Sequence, residues 1–235
     1  MKHRSHSEHS YGYEQLIRQY DPTTPLPGTA GCRRQATMQS LVEHARTFPE
    51  HVAANAKDFE RLADGQTPEA LFVTCSDSRV VPSLITGARP GQLFELRTAG
   101  NIVPPYPAED RPTGEAATIE YALRMLQVRD IIVCGHSHCG AVGAILRGDD
   151  LSAMPAVRHW LARCTDGRTP PADAGDLPGA VQAHALAQLD TLRGYPAVRE
   201  RIADGSLGLH AWYYEVHTGS VSVHRPERGT EFARL

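Results

Sequence analysis

Residues 130–146 read DIIVCGHSHCGAVGAIL. The run at 130–136 is almost continuously apolar, without the alternation of a half-exposed strand. Both of its faces are therefore buried, the habit of a strand inside a parallel sheet covered by helices. The chain then turns through GHSHCG, and CGAVGAIL opens a helix. ALFVTCS (70–76) reads as a second buried strand, and QLFELRTAG (92–100) as a third, ending at the turn-forming pair Gly100-Asn101. TGEAATIEYALRMLQ (113–127) is helical, with Ala116, Ile119, Ala122, Leu123 and Leu126 on one face and an acidic first turn. This alternation predicts an α/β fold with a central, mostly parallel β-sheet flanked by helices.

Further out, residues 36–63 carry apolar side chains at helical intervals, and Pro49 is expected to divide them into two helices. Residues 164–179 read as loop, 181–203 as helix, and 207–225 as a hairpin turning at Thr218-Gly219. Residues 1–35 are polar and rich in His, Pro and Gly. They are expected to form a flexible arm, with 36–235 a single catalytic domain; no internal repeat or linker divides that stretch.

A chain of 235 residues can bury a substantial core, and 41% hydrophobic with 22% charged residues is ordinary for a globular protein. A formal charge of -3 leaves no basic footprint for nucleic acid. The apolar runs fall far short of the ~20 residues that span a bilayer. The N-terminus lacks the apolar core of a secretory signal. Five cysteines are an odd number that implies no disulfide framework, which points to a reducing cytoplasm.

Two segments carry the chemistry: CSDSR at 75–79 and GHSHCG at 135–140. Each follows a buried strand, and ligands of open α/β sheets bind outside the carboxyl ends of the strands, so both should meet in one crevice. Cys75, His136 and Cys139 then form a Cys2His set for Zn2+, leaving a fourth position open for water as catalytic zinc sites do. Cys139 opens a helix, whose dipole favours thiolate. His138 is offset along the turn, Cys134 belongs to the strand core, and Cys32 and Cys164 lie in polar loops. Asp77 either closes the metal shell or is held off it by Arg79 in a charge-assisted pair. In the second arrangement it accepts a hydrogen bond from zinc-bound hydroxide. Two thiolates make the metal a weaker acid than three imidazoles do, so the rate should rise with pH.

CSDSR followed by GHSHCG resembles the β-class carbonic anhydrases, from about residue 36 to the C-terminus, and RTAGNIVPPY and IEYA between the motifs fit the same pattern. The resemblance implies a zinc lyase hydrating carbon dioxide by zinc-hydroxide attack, with Cys75, His136 and Cys139 as ligands and Asp77–Arg79 as catalytic dyad. It implies Gln66, Phe94, Tyr121 and Gly140 as substrate-side residues: a hydrogen-bonding glutamine, two aromatic walls and a backbone N–H. For the two aromatics core packing is the competing reading. One branch of that family carries a tryptophan three residues before the first ligand; Phe72 stands there, which resembles the plant-like branch. N-terminal helices in the family wrap a neighbouring subunit, implying a homodimer or homotetramer. Hydrolysis of carbonyl sulfide or carbon disulfide, and a non-catalytic zinc-stabilised bicarbonate sensor, are the alternatives.

Overall fold

The computed structural model describes residues 38–107, 111–162 and 175–235. The expected arm at 1–35, with Cys32, and Cys164 lie outside the described residues. The chain divides into two compact units, one ending at Gly65 and the other running from Gln66 to Leu235.

In the first unit, α1 (Met38–Ala54) contains Pro49 without ending there, and α2 (Ala56–Glu60) follows. Pro49 thus does not split the helix as its ring suggested. The break falls at Asn55, whose side-chain amide donates to the His51 carbonyl at 3.0 Å, while its backbone N–H turns to Val52. An asparagine that offers the backbone a local alternative competes with the helical ladder.

The second unit is built on a six-stranded sheet, β1 (Ala70–Cys75), β2 (Leu93–Thr98), β3 (Asp130–His136), β4 (Gly208–Tyr214), β5 (Val221–His224) and β6 (Phe232–Arg234), in the order β2-β1-β3-β4-β5-β6. β1 to β4 run parallel to one another, and β5 and β6 are added by antiparallel pairing, so the mostly parallel sheet anticipated from the strand patterns is present. Between them run α3 (Pro82–Thr86), α4 (Gly114–Arg124), α5 (Gly140–Arg147), α6 (Pro155–Ala162), α7 (Leu177–Leu192) and α8 (Pro196–Ala203).

β1 is buried along its whole length and β3 from Ile131 onward, as their unbroken apolar runs require. Leu71, Val73, Ile131 and Val133 meet Ile119 and Leu123 of α4 and Leu189 and Leu192 of α7. Each such side chain contributes about 1.5–3 kcal/mol by leaving water. The opposite pleat places Phe72 and Cys134 with Ile132, Trp212 and Tyr214. Two caps fix helix entries: Thr113 accepts from the Ala116 N–H and Asp176 from the Gly179 N–H. The helix expected at 181–203 is two helices, broken at Gly194 and restarted by Pro196. The first of them begins at Leu177, inside the expected loop. α3, α6 and β6 were not anticipated.

Candidate metal centre

β1 and β3 lie side by side, yet the chain leaves β1 toward β2 on one flank and β3 toward β4 on the other. At such a switch point the loops following the two strands diverge and leave a crevice. Cys75 is the last residue of β1, His136 the last of β3, and Cys139 precedes the first residue of α5. Gly135 lets β3 run close under α7: a Cβ there would meet Val181 Cγ1 at 2.6 Å.

The donor atoms of Cys75, His136 and Cys139 lie within 4.8 Å of one another, and all three residues are buried. His136 Nδ1 is 2.9 Å from the Ser137 carbonyl. A carbonyl only accepts, so Nδ1 carries the proton and Nε2 keeps its lone pair. That Nε2 is buried with no hydrogen-bond partner among the described residues. Ser137 is itself held, its N–H on Tyr214 at 2.8 Å and its hydroxyl accepting from Val216 at 3.0 Å. A hydrogen bond from Cys139 pulls the Cys75 thiol down to about 4 against the opposing effect of burial. The same contact, with burial, pushes Cys139 up. The opposite directions are those of two sulfurs sharing one proton, which a bound cation would displace. Two sulfurs and a buried, unpartnered imidazole nitrogen fit a soft divalent metal ion.

Asp77 stands beside this set without joining it. Its Oδ1 accepts from the backbone N–H and Nε of Arg79, each at 2.9 Å, and Oδ2 accepts from Nη2 at 2.7 Å. Oδ2 lies 3.9 Å from His136 Nε2. The Arg79 hydrogen bond holds the Asp77 carboxyl well below the usual carboxylate range. Arg97, at the end of β2, braces the loop: its Nη2 donates to the carbonyls of Cys75, Asp77 and Val80 at 3.0, 2.8 and 2.8 Å. Sequence reasoning missed Arg97: a cation directly after Leu96 near the end of a strand carries no mark of the distant carbonyls it braces.

The remaining expected site residues are distributed unevenly. Gly140 opens α5 directly after Cys139, among the first N–H groups that have no intrahelical acceptor. Phe94 and Tyr121 meet each other with ring centroids 6.0 Å apart, but not the three donors. Phe94 lies across from Leu71, four residues or about 13 Å along the strand from the carboxyl edge. Gln66 precedes β1 at the end opposite Cys75, and it is exposed. His138 is exposed with φ 57°, its ring near that of His217 rather than with the donors. Cys134 is fully buried, and desolvation pushes its thiol up to about 12. Among the described residues no helix is long and apolar enough to cross a membrane.

A mostly parallel sheet with a Cys-His-Cys donor set at its switch point, and a carboxylate held to one side, is an α/β fold carrying a candidate metal centre. Residues 70–221 match the carbonic anhydrase family. The carbonic anhydrase of Pseudomonas aeruginosa is 44% identical over 176 residues, 72% of this chain and 79% of that protein. The structure of the β-carbonic anhydrase CcaA superposes with a TM-score of 0.76 at 38% identity, over 86% of this chain and 93% of that one. A chain of the tetrameric β-carbonic anhydrases of the filamentous ascomycete Sordaria macrospora gives 0.65 at 29% identity, over 79% and 94%. The chain belongs to the carbonic anhydrase family, within its β class, and the fold anticipated from the strand patterns is the fold of that class.

Proposed function

We propose that the chain catalyses the reversible hydration of carbon dioxide to bicarbonate and a proton, using one zinc ion held by Cys75, His136 and Cys139. The observation that carries this reading is the buried, unpartnered Nε2 of His136 facing two cysteine sulfurs, with Asp77 beside it but bound to Arg79. Bound zinc supplies Lewis acidity that brings the pKa of water toward neutrality, less strongly with two thiolates than with three imidazoles.

The chain's own residues do the rest. Asp77 is acceptor-only and offers about four lone-pair sites, of which Arg79 occupies three. The remaining site accepts a hydrogen bond from the reacting water and turns its lone pair toward the carbon of the substrate. As the new C–O bond forms, negative charge grows on the substrate oxygens, and the Gly140 N–H at the positive end of α5 receives it. One proton leaves to solvent and bicarbonate departs. Asp77 on Arg79 rather than among the donors supports turnover over a non-catalytic module, which would need that carboxylate locked on the metal.

Gln66, Phe94 and Tyr121 lie toward the other end of the strands, so a substrate role for them requires a second copy of the chain. The tetrameric Sordaria relatives support a homodimer or homotetramer. The odd cysteine count supports a cytoplasmic setting. Turnover of carbon dioxide and of carbonyl sulfide on one zinc-loaded preparation tests the substrate: hydration of carbon dioxide in clear excess is expected, and preference for carbonyl sulfide would contradict the proposal.

A further inference from the structure

We propose that Trp160 and His184 are positioning residues for Cys75, acting through the two peptide units that flank Gly100; the inference rests on the zinc reading above. The Gly100 N–H donates to Cys75 Sγ at 3.3 Å. That N–H and the Ala99 carbonyl belong to one peptide plane, and Trp160 Nε1 donates to the Ala99 oxygen at 2.9 Å. On the other side of the same residue, His184 Nε2 is 2.8 Å from the Gly100 carbonyl, which only accepts, so Nε2 carries the proton. An amide whose oxygen accepts a hydrogen bond becomes a better donor at its nitrogen. Trp160 therefore strengthens the donation to sulfur, and His184 fixes the plane in which it is made.

The turn is built to need these anchors. Gly100 has φ 72°, and a Cβ there would stand 3.0 Å from the Ala141 Cβ. Thr98 Oγ1 closes the turn on the Ile102 carbonyl at 2.9 Å. Gln188, one turn after His184 on α7, accepts the Val103 N–H at 2.8 Å. His184 and Gln188 are both buried. Two buried polar side chains on one helix face are thus committed to holding a backbone segment whose outward product is a single N–H on a metal-ligand sulfur. A hydrogen bond to a thiolate draws charge from it. A cation bound there then keeps more of its own positive charge, which offsets the cost of having two thiolates among the donors.

Cobalt-loaded protein provides the test, because the sulfur-to-cobalt charge-transfer band reports charge on the thiolates whether or not the enzyme turns over. Trp160→Phe keeps the ring and deletes the donor; His184→Leu deletes the donor; His184→Gln restores an N–H near the same place. The first two variants should move the band to lower energy and weaken zinc binding roughly tenfold, as loss of an outer-shell partner does, with His184→Gln returning both toward wild type. An unshifted band and unchanged zinc affinity in Trp160→Phe and His184→Leu would overturn the inference, even if their thermal stability falls. Should Trp160→Phe fail to fold, the His184 pair decides alone. A wild-type protein that binds cobalt without any thiolate band would instead overturn the Cys75–His136–Cys139 reading, and this inference with it.

Discussion

Arg79 grips both carboxylate oxygens of Asp77, at 2.9 and 2.7 Å, while the nearer of them stays 3.9 Å from His136 Nε2. Asp77 thus stands beside the Cys75, His136 and Cys139 donors and is bound to Arg79 rather than to them. On the proposed reading, that ion pair keeps the carboxylate an acceptor rather than a ligand.

Asp77→Asn should lower kcat by about 10²–10⁴-fold, the usual scale for a positioned proton acceptor. The arginine depresses the Asp77 pKa in the folded chain below the unfolded value near ~3.9. The folded state thus binds fewer protons than the unfolded one around that pH, and the pair's stabilisation is complete above it and lost as pH falls. Asp77 accordingly does not titrate near neutrality, and the substitution should scale the rate without removing a limb of the pH profile. Urea titrations of metal-free protein in acid should show a shallower loss of stability for Asp77→Asn than for wild type.

Metal removal should expose a thiol hierarchy. Cys75, pulled down to about 4, remains thiolate in mildly acidic buffer. Cys134, pushed up to about 12 in the core, stays protonated and shielded. Alkylation of chelator-treated protein near neutral pH, read by peptide mass mapping, should label Cys75 well before Cys134, and zinc should suppress that labelling. Equal labelling would contradict the assignment.

Gly135 marks where β3 passes under α7. Gly135→Ala should destabilise the protein by about 1–3 kcal/mol through overpacking against Val181. Val181→Ala in the same chain should recover much of the loss, since it removes the Cγ1 atom that the new methyl meets. Denaturation midpoints of the two single variants and the double variant measure that coupling.

Mixed oligomers test whether the site is shared. Cys75→Ser chains and Gln66→Ala chains, each of low activity alone, should regain activity when refolded together, because one site in each mixed dimer then has both residues intact. No recovery would place Gln66 in the service of its own chain.

The strands that build the crevice were legible because burial on both faces leaves a plain trace: 131–135 has no polar side chain before His136. The helix boundaries were less so. Apolar spacing continues through 181–203, and only the Gly194–Pro196 break divides it. Pro49 pointed to a break that Asn55 makes instead, since an exposed helix can forgo one hydrogen bond. The three metal donors were readable because each sits at a strand end or immediately beyond one in the same turn. Arg97, Trp160 and His184 were not. They act on backbone carbonyls 17 to 84 residues away in sequence, contacts that exist only once the sheet is assembled.

The most direct measurement is stopped-flow hydration of carbon dioxide from pH 7 to 9, with metal content determined on the same samples, for wild type and Cys75→Ser. One zinc per wild-type chain, a rate that rises with pH, and loss of both zinc and activity in the variant are expected. A wild-type chain that carries one zinc and hydrates no carbon dioxide would contradict it.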